Sequence, residues 1–137
     1  MHWKNNSHKK DQSSKDWLKE KLYKPLSKEA ICRHPIDSHL SYIRPIYTIE
    51  RLNEVFGIGN WHIKTEIVEV TNNHWGVVKV IFTVEGTNIY LEAYGSNYNP
   101  HDRREIYQGA VEDALIRIGM YLGIGIDVWK GEQSYKL

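Results

Sequence analysis

The sequence predicts an α+β domain. A three-stranded antiparallel β-meander is followed by a long packing helix, a β-β-β-α core, with short helices ahead of it. Three observations carry this. The hydrophobic period changes to two at Trp61 and returns to helical near Arg103. Turn clusters, Thr71-Asn72-Asn73-His74 and Gly86-Thr87-Asn88, cut the middle of the chain into closely spaced strands. The stretch from Tyr107 to Gly125 reads as one helix that stops at glycine. A chain of 137 residues, 41% hydrophobic, suits one domain around one core.

Residues 1–13 read as a basic, disordered arm, 14–131 as the core domain and 132–137 as a tail. Ser13 and Asp16 have capping-box spacing, with Asp in place of Glu. Trp17, Leu18, Lys21 and Leu22 then give a short amphipathic helix that ends before Pro25. Ser27 suits the cap of a brief turn through Ala30 and Ile31, and His34-Pro35 to Ser41 reads as loop. Pro45 fits the first turn of the next helix, where its missing N–H costs little. Ile49, Leu52 and Phe56 line one face of that helix, and Gly57 is its expected left-handed cap.

The first strand runs from Trp61 to Val70, the second from Trp75 to Glu85, the third from Ile89 to Tyr94. On the second, Val78, Val80, Phe82 and Val84 share one face, and Val77, Lys79, Ile81 and Thr83 the other. Ser96 to Asp102 reads as loop, and the long helix follows from Arg103 or Arg104. Val111, Leu115, Ile118 and Leu122 lie at i, i+4, i+7 and i+11 and form its expected buried side. Gly109, Asp113, Ile116, Arg117 and Met120 lie on the other side. Gly109, Ala110 and Ala114 are small enough to admit a close neighbour.

Formal net charge is +1, so bulk charge does not announce a polyanion binder. The distribution is uneven. Residues 1–28 carry eight lysines against three acids, a net +5 that leaves the rest at −4. That is the pattern of an interaction tail or of a solvated arm. The single cysteine, Cys32, rules out a disulfide framework within the chain and favours a reducing compartment. With His34 and His39 it still lacks the second pair a zinc site needs. The start, Met1-His2-Trp3-Lys4-Asn5, has no apolar h-region, and Ala114 to Trp129 is too short and glycine-rich to span a bilayer.

The glycine pairs Gly57-Ile58-Gly59 and Gly123-Ile124-Gly125 do not continue as a phosphate fingerprint after a strand. Asp102, Glu105, Glu112 and Asp113 cluster in sequence, which suggests a nuclease metal site. On a helix, however, Glu112 and Asp113 point about 100° apart. Asp113 and Arg117 have the i,i+4 spacing of an intrahelical ion pair. Trp61, Trp75, Trp129 and many tyrosines sit near element ends. Aromatics beside cations can stack the bases of a single strand, but for Trp61 and Trp75 a core position is the preferred reading.

Several ordered motifs resemble the Rad fifty-two type single-strand annealing proteins. They are Tyr42-Ile43; Leu52-Asn53-Glu54-Val55-Phe56-Gly57; Gly59-Asn60-Trp61; Glu92-Ala93-Tyr94-Gly95; and Gly109-Ala110-Val111-Glu112-Asp113-Ala114-Leu115-Ile116-Arg117. The resemblance covers roughly residues 22–131. Leu122-Gly123-Ile124-Gly125 is similar to the bacterial and phage DdrA-like branch. Pro25-Leu26-Ser27-Lys28-Glu29 and Pro35-Ile36-Asp37 are similar to the mitochondrial nucleoid member.

The resemblance implies a non-enzymatic protein without cofactor, small-molecule substrate or membrane partner. It would assemble into a ring or filament of identical copies, bind single-stranded DNA in a shared groove and anneal complementary strands in recombination or repair. It also implies a bacterial or phage-encoded protein in the cytoplasm, associated with the nucleoid. Arg117 matches a basic DNA-contacting position of the family's long helix. The neighbouring family cations fall here on Ile116 and Met120, and a groove-lining arginine falls on Tyr47, with Arg44 one turn away. Lys64, Lys79, Arg103 and Arg104 are expected to add charge from the meander and loop. The chain ends soon after the core, which predicts stand-alone annealing rather than recruitment of a recombinase. Two rival readings stay open: a metal-dependent nuclease using the acids of the last helix, and a non-catalytic oligomeric interaction module.

Overall fold

The computed structural model describes residues 14–34 and 40–132. Expectations for the N-terminal arm, Ser13, Pro35-Ile36-Asp37 and the last five residues lie outside that range. The first helix, α1, covers residues 14–23 and seats Leu22 in the core, with Leu18 against its edge. Trp17 stays half exposed. A 3₁₀ turn, Lys28–Ala30, then leads into a strand pair that the sequence did not announce. Strands β1 (Ile31–Arg33) and β2 (Ser41–Ile43) pair antiparallel, with Ile31 opposite Ile43 and both buried. Three residues per strand is too short for a period-two signal, so most of this segment reads as loop.

Helix α2 (Pro45–Phe56) starts on Pro45 as expected. Gly57 ends it with φ 91° and ψ 144°, the positive φ expected of a glycine stop but outside the left-handed helical region. Leu52 is fully buried, and Phe56 meets the Phe82 ring at 6.2 Å. Arg51 is buried too. Its Nη1 donates to the carbonyls of Lys21 (3.2 Å) and Lys24 (2.6 Å) at the end of α1. These are carbonyls that a helix C-terminus leaves without intrahelical partners, and a guanidinium both bonds them and complements the helix dipole.

The meander comprises β3 (Trp61–Val70), β4 (Trp75–Val84) and β5 (Tyr90–Tyr98), in the order β3-β4-β5. The β3–β4 register slips at a bulge between Ile67 and Glu69. The strand β5 runs four residues past the expected end at Tyr94, through Gly95-Ser96-Asn97-Tyr98. These residues have turn composition, but pairing with Val78 back to Trp75 holds them extended, because a tertiary partner overrides weak local preference.

Helix α3 (Arg103–Leu122) crosses the inner face over β4 and β5. Asp102 caps it, accepting the Arg104 backbone N–H at 2.9 Å. The close approach is set by glycine. A Cβ on Gly95 would lie 2.0 Å from the Ala110 carbonyl oxygen and 3.0 Å from the Ala114 Cβ. Ala110 and Ala114 are fully buried there, so the small residues act as expected.

One expectation for α3 is corrected. Ile116, assigned to the open side beside Arg117, is only 3% exposed, whereas Val111 and Leu122 are half-buried. The helix is covered on two sides, by the sheet and by the N-terminal elements. Thr48 of α2 packs at Gly119, and Ile116 belongs to the core cluster with Ile43. A single-face assignment assumes one covering layer. Gly123, at φ 108°, stops α3 in the left-handed region, and the chain turns into a short helix, α4 (Ile126–Trp129).

Candidate functional site

A cavity of about 550 Å³ opens between β2, α3 and α4. Its apolar wall includes Ile43, Ile116 and Val128, while Tyr42, Arg117, Trp129 and Lys130 bring rings and charge. Two glycines build it. Gly125, at φ 71°, lies so close to β2 that a Cβ there would meet the Ile43 Cδ1 at 2.4 Å. Gly123 packs on the Tyr23 ring with a similar lack of room. The positive φ values fold the chain back after α3, so Trp129 and Lys130 come to line the same cavity as Arg117.

Burial pushes the Tyr42 phenol up to about 12, with the Asp113 and Glu112 carboxylates and Cys32 adding to the shift. It therefore stays neutral at any physiological pH. The His34 ring stands edge-on to it at 5.5 Å. Asp113 Oδ2 accepts the backbone N–H of Ser96 at 3.0 Å, fastening α3 to β5. The same oxygen lies 3.7 Å from Arg117 Nε. The i,i+4 pair expected from spacing forms, but beyond hydrogen-bond distance, and the guanidinium remains about half exposed.

The six expected cations do not converge. Arg117 lines the cavity, and Arg44 follows the lining residue Ile43, exposed at the start of α2. Lys64 and Lys79 lie across the sheet, on the face turned away from α3: Lys79 pairs with Tyr94, and Lys64 with Ile81. Lys79 Nζ is 3.4 Å from Glu92, which also accepts from the Tyr90 hydroxyl at 2.8 Å. That hydroxyl, and secondarily Lys79, holds the Glu92 carboxyl below its ordinary value. Arg103 and Arg104 sit at the start of α3, where Arg103 donates to the Tyr107 hydroxyl and Arg104 pairs with Asp102 at 3.3 Å. Tyr47, where the resemblance to annealing proteins would put a groove-lining arginine, packs against the core.

The two tryptophans expected in the core divide. Trp61 packs on Phe82 at 5.9 Å, and its Nε1 donates to Asn53 Oδ1 at 2.8 Å. That bond clamps α2 to β3 and gives the asparagine of the Leu52-to-Gly57 motif a structural role. Trp75 is instead 40% exposed on the outer face, against Tyr98 at 5.4 Å. Its strand position, one residue from Gly76, turns the indole outward with Lys79. Lys130 escaped the sequence reading altogether. It is an isolated lysine after the glycine stop, and only the fold-back brings it to the cavity.

Three of the four acids that cluster in sequence here are separately engaged. Asp102 caps the helix, Glu112 accepts from Gln108 Nε2 at 3.2 Å, and Asp113 binds Ser96. Among the described residues no group of three or more His, Cys, Asp or Glu is placed to hold a metal ion. No helix among them is long and apolar enough to cross a membrane. No protein-family model and no curated protein matches the chain, so the likeness to annealing proteins rests on the ordered motifs.

Proposed function

We propose that this protein binds single-stranded DNA and anneals complementary strands, without nucleotide hydrolysis and as an assembly of identical copies. The observation that carries the reading is Arg117. It is half exposed on α3 and lines a concavity that also presents Lys130 and Trp129. Cations hold phosphates, and neighbouring rings add sequence-tolerant stacking. One copy offers few such charges, so useful affinity depends on several copies along one strand. An exposed β3 edge, with Ile63 and Ile67 uncovered, supports assembly.

Anisotropy of a labelled oligonucleotide, with an annealing assay alongside, tests this. Arg117→Gln is expected to weaken binding roughly tenfold and to lower the salt slope by about one phosphate contact. Unchanged affinity and annealing remove Arg117 from the site. A protein that stays monomeric at all concentrations, with and without DNA, sinks the assembly.

The outer sheet face favours a second reading, a non-catalytic interaction module. Trp75, Tyr90, Tyr94 and Tyr98 are exposed there among paired charges, a composition suited to protein contact. A stable oligomer with no DNA binding at low salt supports that reading over the first.

A further inference from the structure

We infer that the cavity between β2, α3 and α4 is a nucleotide pocket, with the base taken by Trp129 and the apolar wall and the phosphate by Arg117 and Lys130. The inference rests on the proposed DNA binding and assigns the position where a strand is gripped. A volume of about 550 Å³ is within the ordinary range for small-ligand sites, which are apolar with a few placed polar groups. This one has that composition: Ile43, Ile116 and Val128 on the wall, with Arg117, Lys130 and Asp113 as its charged lining residues.

Trp129 is 43% exposed and lines the cavity, so it is accessible to a ligand there. Lys130 is exposed beside it, and Asp113, whose Oδ2 accepts from Ser96 and also pairs with Arg117 at 3.7 Å, sets one lining carboxylate against two lining cations. The cavity therefore keeps positive charge next to an aromatic surface. A phosphate attached to a planar base needs both together. The outer sheet face also has aromatics, but Lys79 there is paired with Glu92, and Glu66 stands opposite it. The same nucleotide chemistry is presented by a strand or by a free nucleotide, and the strand is the occupant consistent with an open mouth.

The experiment uses the full chain with an oligonucleotide carrying 2-aminopurine, and separately with a free deoxynucleoside monophosphate. Trp129→Ala is expected to weaken oligonucleotide binding about 5- to 150-fold, the cost of one stacked base, and to abolish a change in 2-aminopurine emission. Trp129→Phe is expected to keep most of both. Lys130→Ser, an exposed change that leaves the fold alone, is expected to weaken binding with the emission change retained at saturation. Trp75→Ala, on the far face, is expected to do neither.

If the wild type binds the oligonucleotide but Trp129→Ala and Lys130→Ser bind it equally well, the pocket is wrong and DNA binding stands. If the monophosphate saturates the pocket, with Trp129→Ala blocking it, and the oligonucleotide does not bind, the pocket stands and the DNA reading falls. If neither probe binds at low salt, both fall.

Discussion

On the inner face of the meander, Val78, Val80, Phe82 and Ala93 are sealed under α3. On the outer face of the same strands, Trp75, Tyr90 and Tyr94 stand open, with Lys79 partly buried among them. Both sets come from one alternating pattern, yet their chemistry differs. The inner face is apolar and shaped by contact: Gly95 stands where α3 lies against the sheet. The outer face carries exposed tyrosines and the Lys79–Glu92 ion pair. Burial is concentrated on one side of the sheet.

The contrast is sharpest at Phe82, which is fully buried between Trp61 and Phe56. Phe82→Ala is expected to destabilise by about 3–5 kcal/mol, measured by urea unfolding, through lost burial and the cavity left behind. A loss under 1 kcal/mol breaks the claim that this face holds the fold. Gly95→Ala tests the contact from the other direction. The added methyl meets backbone rather than a movable side chain, so roughly 1–3 kcal/mol is expected, with a lower melting temperature as the readout.

A smaller, pH-dependent effect comes from Tyr42. Its folded-state phenol is raised to about 12 from an ordinary 10.0, so the folded protein binds the proton more tightly than the unfolded chain. This contribution is full below pH 10 and is lost as pH rises toward 12. Melting curves across that window are expected to fall more steeply for wild type than for Tyr42→Phe; parallel curves refute it. The smallest effect belongs to the outer face. Tyr94→Ser is expected to change stability by no more than about 0.5 kcal/mol in urea unfolding. A larger loss means that this face is already covered, by a second copy or otherwise.

Much of the fold is legible in the sequence. The alternation in β4 names its buried face residue by residue, and Pro45, Gly57 and Gly123 mark element ends through backbone geometry that each residue carries by itself. The candidate site is less legible. Arg117 is visible as the one cation in the C-terminal half of a long helix, but Lys130 has no local signal. The other expected cations scatter over three surfaces, because sequence proximity and charge do not say which side of a sheet a strand residue faces.

The sequence by itself determined the order of α1, α2, the three meander strands and α3, the period of the meander strands and the glycine stops, since these follow from short-range dihedral preference and side-chain alternation. Only the tertiary structure decided the β1–β2 pair, the extension of β5 through Tyr98, the burial of Ile116 and the cavity that joins Arg117 to Trp129 and Lys130. Each depends on a partner distant in the chain. A strand too short to show a period, or a helix covered on two sides, takes its state from what packs against it, and no local pattern carries that information.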